Sequence, residues 1–385
     1  MYLRSWYWHR IHGAVRGSAD NNSYHDWPHG VTTSCSQREC SFVWDRGTPL
    51  WRDVPWLGAF EQLDGVHVDR PQRWIARWPK VAPIDNLALA IGSRRWKRKL
   101  DSLGDGPTLA LLFHPGFTPY LKHFNHDAVV YHAVDLFRLV DGSPELERNE
   151  RELTSCADRV LAVSQPVGDA LKERYGCDVA LLPNGVAARA FEVASTQEEP
   201  HDLAVIPQPR IGYVGRINKK IDLGLVAERA RLLPQCHYVM VGPVSNLDDY
   251  GKEGLAACRR ADNVHFLGLK TVEELPRYTA HMSINIMCYR EKSAPWVSVG
   301  YPLKMHEYLA AGPPVVSAPI STVRPFENCI ALADSPEEWV EKITDALDGR
   351  EAGTRVRRQN VARANTWDRR VDLLESLLLD VSADL

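Results

Sequence analysis

The chain has 385 residues, which at roughly 100 to 200 residues per domain predicts two or three compact units. Its 44% hydrophobic and 25% charged residues are ordinary globular usage and exclude wholesale disorder, collagen-like repeats and a coiled-coil rod. Lys plus Arg number 46 against 49 Asp plus Glu, so a net charge of −3 supplies no global attraction to nucleic acid or anionic lipid.

Residues 1–50 show no periodicity of 2 or 3.6: Trp6, Trp8, Tyr24 and Trp27 are scattered among His, Ser, Asn and Arg, and an irregular segment is expected. Arg4, His9, Arg10, His12 and Arg16 break up any signal-peptide apolar core, and no run approaches the ~20 apolar residues of a membrane span. The expected location is the cytoplasm. Basic charge accumulates in one window only, 51–100, with ten Lys/Arg against five Asp/Glu. Within it Arg94-Arg95-Trp96-Lys97-Arg98-Lys99 places five cations around one tryptophan, which suits a face lying on a membrane surface and equally a solvated helix face. The eight cysteines form no CxxC or CxxH set, so a zinc site is not expected, and Cys35 and Cys40 are expected to be reduced thiols.

From Thr108 the chain becomes regular. Leu109 to Phe113 is an apolar run ending in His114-Pro115-Gly116 and predicts a buried strand, and Ala128 to Val134 predicts another, ending at Asp135. Ser143-Pro144 opens a helix, Arg159 to Val163 is a strand, Ser164-Gln165-Pro166 opens a second helix, and Gly176 closes it before a strand at Val179 to Leu182. Residues 192–209, rich in Pro, Glu and polar residues, have the composition of an exposed linker. The pattern then restarts with strands at Arg210–Val214, His237–Val241, Val264–Leu267, Ser283–Met287 and Val315–Ala318. Helices are expected at Leu223–Leu233, near Leu303–Ala311 and near Arg370–Leu379. Strands alternating with helices predict two doubly wound α/β domains of similar size: 1–191, then the linker, then 210–368, with a C-terminal helix at 369–385 crossing back to the first domain.

Ligands of open parallel sheets bind beyond the carboxyl ends of the strands. After the strand RIGYV come Gly215-Arg216-Ile217-Asn218-Lys219-Lys220 and a helix start near Asp222: a glycine for close backbone approach, then cations, then helix-end N–H groups, the parts of an anion cradle. Its companion is Gly300-Tyr301-Pro302-Leu303-Lys304-Met305-His306-Glu307, with Pro302 at a helix start, Gly312 at its C-cap, and Lys304 and Glu307 sharing one face at i,i+3. A lysine near a helix N-terminus suits a diphosphate, and a carboxylate one turn on suits the vicinal hydroxyls of a ribose. The plainer alternative is an intrahelical Lys304–Glu307 ion pair, worth only ~0.3 to 0.5 kcal/mol.

The string PLKMHEYLAAGPPVV, with IGYVGRINKKIDLGLV, NVHFLG and ADRVLAVSQPVGDALKERYG followed by LLPNGV, resembles the nucleotide-sugar-binding segments of GT-B glycosyltransferases of group 1 (GT4-like) over roughly residues 105–380. The resemblance implies two Rossmann-like domains facing across a cleft and sugar transfer from a nucleoside diphosphate sugar to a hydroxyl acceptor, a glycan, a lipid-linked saccharide or a small natural product. It places Glu307 on the donor ribose, Arg216 with Lys219 or Lys220 and Lys304 at the diphosphate beside Gly215, and Asn184-Gly185 in a loop at the domain junction. Two positions depart from the pattern. Val299 stands where many members carry a sugar-contacting glutamate, and Ala187 follows PNGV where aspartate is frequent. In the first domain Asp135 resembles the aspartate that inverting relatives place opposite the anomeric carbon and is the candidate general base, its alternative being a turn cap. His114 is the candidate that orients base or acceptor, and His132 reads as a core histidine.

With no DxD-type carboxylate pair, neither a metal nor a resident cofactor is expected, the nucleotide sugar being a co-substrate. A nucleic-acid partner is not expected, and peripheral contact at the inner membrane face is tied to Arg94–Lys99. Three rival readings share these residues: a nucleotide-sugar epimerase, a non-catalytic nucleotide-binding protein, and a transferase acting on nucleic acid that only the basic patch supports.

Overall fold

The structure, a computed structural model, describes residues 28–34, 40–45, 60–63, 66–69, 82–102, 108–123, 125–140, 142–290 and 295–382. The chain divides into two units of different continuity: Met1–Pro183 with Val371–Leu385, and Asn184–Arg370.

The first unit is built on an eight-stranded sheet of order β3-β4-β2-β1-β5-β6-β7-β8. Its strands are β1 (Pro28–Ser34), β2 (Cys40–Asp45), β3 (Phe60–Leu63), β4 (Val66–Asp69), β5 (Thr108–Leu112), β6 (Ala128–Ala133), β7 (Arg159–Ala162) and β8 (Val179–Leu181). Strands β5 to β8 run parallel, as the apolar runs predict, and their centre is dry: Leu111, Val130, Tyr131, Leu161 and Val163 are fully buried. The capping signals read correctly. Ser143 accepts from the Leu146 N–H, Ser164 from the Val167 N–H, and Gly176 takes the left-handed conformation (φ 69°) that ends its helix.

Two expectations for this unit are corrected. Residues 1–50 are not irregular throughout, because β1 and β2 lie within them, and the sheet is mixed, since β1 pairs antiparallel with both β2 and β5. The reason is that Val31-Thr32-Thr33 and Cys40-Ser41-Phe42 hold the branched and aromatic residues that strands favour but no continuous apolar run. Cys35 and the Cys40 side chain lie outside the described residues, whereas Cys156, Cys177, Cys236, Cys258, Cys288 and Cys329 are free thiols.

The second unit carries an all-parallel six-stranded sheet of order β11-β10-β9-β12-β13-β14. Its strands are β9 (Arg210–Val214), β10 (His237–Val241), β11 (Val264–Gly268), β12 (Ile284–Met287), β13 (Val315–Ser317) and β14 (Ala331–Leu332). Alternate residues of one strand enter different cores: Tyr238 and Met240 pack in one cluster, Val239 and Val241 in the other, as a sheet covered on both faces requires. The chain leaves β9 first toward β10 and later returns on its other side as β12. The switch point of the topology therefore lies beyond Val214, the place where open parallel sheets bind their ligands.

The expected linker at 192–209 is also corrected. The helix Ala188–Ala194 runs into it and His201–Ala204 lies within it, and Ala194, Leu203 and Ile206, with Phe191 just before, are buried in the core of the second unit. Asp202 accepts from Lys270 (2.5 Å) and from the Tyr278 hydroxyl (2.7 Å), which ties the segment to its own domain. A few well-spaced apolar residues among many polar ones look like a linker by composition yet suffice to dock it. The division therefore falls between Pro183 and Asn184, not at 191. Of the helix Trp367–Ser382, residues from Val371 onward are grouped with the first unit.

Candidate donor site of the second unit

Beyond β9, residues 215–220 run beside the loop that follows β10. Gly215 N–H donates to Val241 O (2.8 Å), Ile217 N–H to Pro243 O (2.9 Å) and Lys219 N–H to Asn246 O (3.3 Å). Ile217 is fully buried and Asn218 nearly so, and these two anchors leave Arg216 and Lys220 half-buried and Lys219 exposed. Arg290, held to Asp248 at 2.7 Å, donates from its backbone to Lys220 O and from its guanidinium to Lys219 O, fixing the far end of the cationic loop.

Gly215 has φ 140°, open only to glycine at low cost, and a Cβ there would stand 3.0 Å from Lys304 Nζ and 3.1 Å from its Cε. The loop and the helix Leu303–Ala311 thus meet at this glycine, with the lysine side chain lying across it. The Lys304 ammonium donates to the Tyr213 hydroxyl (3.0 Å) and lies 4.5 Å from the Tyr213 ring centre and 5.4 Å from that of Tyr289. Burial pushes its pKa down to about 8, with Glu307 acting in the opposite direction. Glu307, one turn on and half-buried, is pushed up to about 7 by burial against the opposing pull of Lys304.

Among the described residues the Glu307 carboxyl has no hydrogen bond or ion pair, and the intrahelical Lys304–Glu307 pair does not form because Tyr213 holds the ammonium. Stability alone gives no reason to half-bury a carboxyl without a partner. The helix start is arranged in the same sense. It spans Leu303–Ala311 as expected, with Pro302 at the cap position and no side-chain cap bond, and Gly312 (φ 96°) closes it.

The second helix start, which the sequence reads as part of an anion cradle, carries its own carboxylate cap. Asp222 caps the helix Leu223–Leu232, its carboxylate accepting from the Leu225 N–H (2.9 Å) and from the Tyr250 hydroxyl (2.8 Å). A fixed carboxylate there disfavours a second anion, whereas the N-terminus of the Lys304 helix carries no such group.

Asn184 reaches the segment before the Lys304 helix, and Gly185 the start of the last helix. Asn184 Nδ2 donates to Tyr301 O (2.9 Å), and a Cβ on Gly185 would lie 2.8 Å from the Trp367 backbone nitrogen, so the loop packs against the start of the last helix as only glycine permits. Tyr213, Tyr289 and Arg290 are the members that sequence reasoning missed. The two tyrosines follow an inward alternation that reads as core, and Arg290 stands well away from the cationic string.

In the first unit, His114 and Asp135 follow the carboxyl ends of the adjacent parallel strands β5 and β6, both half-buried. Asp135 Oδ1 accepts from the Leu136 N–H (2.9 Å), so the turn-capping contact exists. His114 Nδ1 accepts from the Gly116 N–H (3.0 Å), which leaves Nε2 as the proton-bearing nitrogen, and its ring packs edge-on 4.5 Å from Phe137. His132 is a core histidine, buried and bonded to Leu182 O at 3.0 Å.

Residues 208–349 match the family model described as Glycosyl transferases group 1, and that span holds Gly215, Arg216, Lys219, Lys220, Lys304 and Glu307. The Bacillus subtilis (strain 168) protein TuaH, named as a teichuronic acid biosynthesis glycosyltransferase, is 25% identical over 276 residues, covering 66% of this chain and 67% of its own. Within its second unit the chain is similar to the group 1 glycosyltransferases. Its fold is that of sucrose-phosphate synthase from Thermosynechococcus elongatus (17% identity, 89% of each chain, TM-score 0.64). It is likewise that of Anabaena HepE, solved with UDP and glucose (17% identity, 81% of this chain and 85% of that one, TM-score 0.61). Both have the GT-B fold, and this chain is an α/β protein of the same two-domain class. Among its described residues no helix is long and apolar enough to cross a membrane.

Proposed function

We propose that this protein moves a sugar from a nucleoside diphosphate sugar to a hydroxyl acceptor without a resident metal or cofactor. The observation that carries the reading is the half-buried Glu307 carboxyl, without a hydrogen bond or ion pair, one turn beyond an uncapped helix start that meets a cationic glycine loop. In this reading Glu307 accepts from the ribose hydroxyls, while Arg216, Lys219, Lys220, Lys304 and the helix N-terminus offset the diphosphate charge. Asp135 takes the acceptor proton and His114 orients the acceptor. The acceptor oxygen bonds to the anomeric carbon, the bond from that carbon to the phosphate oxygen breaks, and the nucleoside diphosphate leaves with the electron pair. Cations set in advance around the leaving phosphate do the work that a divalent ion performs elsewhere. The relatives support a UDP donor and a polysaccharide acceptor, since HepE was solved with UDP and TuaH is named for a polymer.

The test is nucleotide release from UDP-, GDP-, ADP- and dTDP-sugars with and without acceptor. Turnover should be nucleotide-selective, acceptor-dependent and unchanged by EDTA. Rearrangement of the donor sugar without acceptor would instead indicate an epimerase.

We also propose a peripheral location at a membrane, on the helix Ala82–Asp101. Ile84 (51% exposed), Leu87 (62%), Ile91, Arg94 and Arg98 recur at spacings of three and four and so share one face, apolar at one end and cationic at the other, with Lys97 exposed beside it. Trp96 is not part of this surface, for it stacks on Tyr120 at 4.7 Å, and Arg95 is half-buried. Each exposed cation adds about 1 kcal/mol near an anionic leaflet. Arg94→Glu/Lys97→Glu/Arg98→Glu should abolish co-sedimentation with phosphatidylglycerol vesicles while nucleotide release persists. Equal sedimentation of wild type and variant would remove the proposal.

A further inference from the structure

We infer that Tyr213 is a positioning residue of the donor site, a single phenol that holds the Lys304 ammonium and the Arg216 backbone in fixed relation. Its hydroxyl accepts from Lys304 Nζ at 3.0 Å and donates to Arg216 O at 2.9 Å. The inference rests on the donor-site reading given above.

The ring and the hydroxyl have separable tasks. The ring belongs to the buried core on one face of the second sheet, beside Ile211, Tyr238 and Ile286, and phenylalanine would fill the same volume there. The hydroxyl reaches out of that core to the carboxyl end of β9, where it joins the first turn of the Lys304 helix to the loop 215–220. A lysine with four rotatable stem bonds is otherwise free to swing, and holding it costs entropy at each binding event. Bonded to the phenol and laid across Gly215, its ammonium is placed before the diphosphate arrives, and the same bond network fixes the carbonyl that sets the course of the cationic loop.

The surroundings of Lys304 are otherwise poor in acceptors. Glu307 on its own helix, Cys288 and Tyr289 from the end of β12, and Lys220 from the loop face it, and Lys220 opposes its charge. Tyr213 is therefore the neutral acceptor that favours the protonated lysine, and its loss should make the ammonium easier to deprotonate.

The experiment measures affinity for whichever of UDP, GDP, ADP and dTDP binds wild type most tightly, together with the pH profile of kcat/KM, in Tyr213→Phe. Thermal melting verifies that the variant is folded. Loss of one hydrogen bond to a charged group predicts a Kd raised by about tenfold and an alkaline limb displaced to lower pH. Tyr308→Phe serves as the comparison. Its hydroxyl bonds the Val214 backbone and not Lys304, so it should lower the melting temperature without displacing that limb. In a Lys304→Met background the Tyr213→Phe effect should largely vanish. A folded Tyr213→Phe with unchanged affinity and an unmoved limb, or full additivity with Lys304→Met, would overturn the inference while leaving the donor site intact. Full activity in Glu307→Ala, by contrast, would overturn the donor-site reading itself.

Discussion

Replacing Glu307 with alanine should lower kcat/KM for the donor by about 100-fold, as expected for two lost hydrogen bonds to a charged acceptor at ~1.5 kcal/mol each. The loss should appear in donor KM as well as kcat, and acceptor KM should stay within about twofold of wild type, because ribose recognition is not shared with the acceptor. The pH behaviour follows from the two half-buried charges. Glu307 must be ionised to accept from ribose hydroxyls, and its pKa of about 7 puts that form above neutrality; Lys304 must be protonated to meet phosphate, and its pKa of about 8 puts that form below pH 8. The profile of kcat/KM should therefore be a narrow bell between the two. Glu307→Gln should flatten the acid limb and Lys304→Met the alkaline one.

The same shifts give the stability of the empty protein a definite sign. Glu307 has a raised pKa in the folded state, so its contribution is complete below about 4.5 and is lost as pH rises through about 7. Lys304 has a lowered one, so its contribution is complete above about 10.5 and is lost as pH falls through about 8. Between 7 and 8 both groups are charged and both impose their cost. That is the window in which a bound nucleoside diphosphate should raise the melting temperature most.

Asp135→Asn should lower kcat by about 100- to 10,000-fold, the range that a positioned general base contributes. The substitution keeps the Oδ1 acceptor that the Leu136 N–H uses, so the turn should survive and thermal stability should change little. Nucleoside diphosphate affinity should also hold, since Asp135 belongs to the first unit and the donor residues to the second. An Asp135→Asn enzyme with full kcat and a lowered melting temperature would reduce this aspartate to a turn cap. Comparison with Asp135→Ala separates the two roles further: alanine should cost stability as well as turnover, asparagine turnover alone.

The candidate site was legible in the sequence because its parts are local. A glycine, three cations within five residues, and a lysine and glutamate one turn apart on one short helix are patterns that backbone geometry turns directly into a shared surface. The parallel strands β5–β8 and β9–β13 were legible for the same reason, each being a short apolar run closed by a turn or cap. What escaped depends on contacts distant in sequence. Tyr213 looks like any inward strand residue until Lys304, 91 positions on, meets its hydroxyl. Asp222 looks like an opening to a helix N-terminus until its own carboxylate closes it. Residues 192–209 look like a linker until Ala194, Leu203 and Ile206 find their core. Strands β1 and β2 lack an apolar run, and their signal lies in antiparallel pairing to each other and to β5.

The most direct test of the donor site is a crystal structure with the best-binding nucleoside diphosphate. The expected density places the ribose hydroxyls against Glu307 and the diphosphate between the Gly215–Lys220 loop and the start of the Lys304 helix. A nucleotide bound elsewhere, with Glu307 left without a partner, would contradict it.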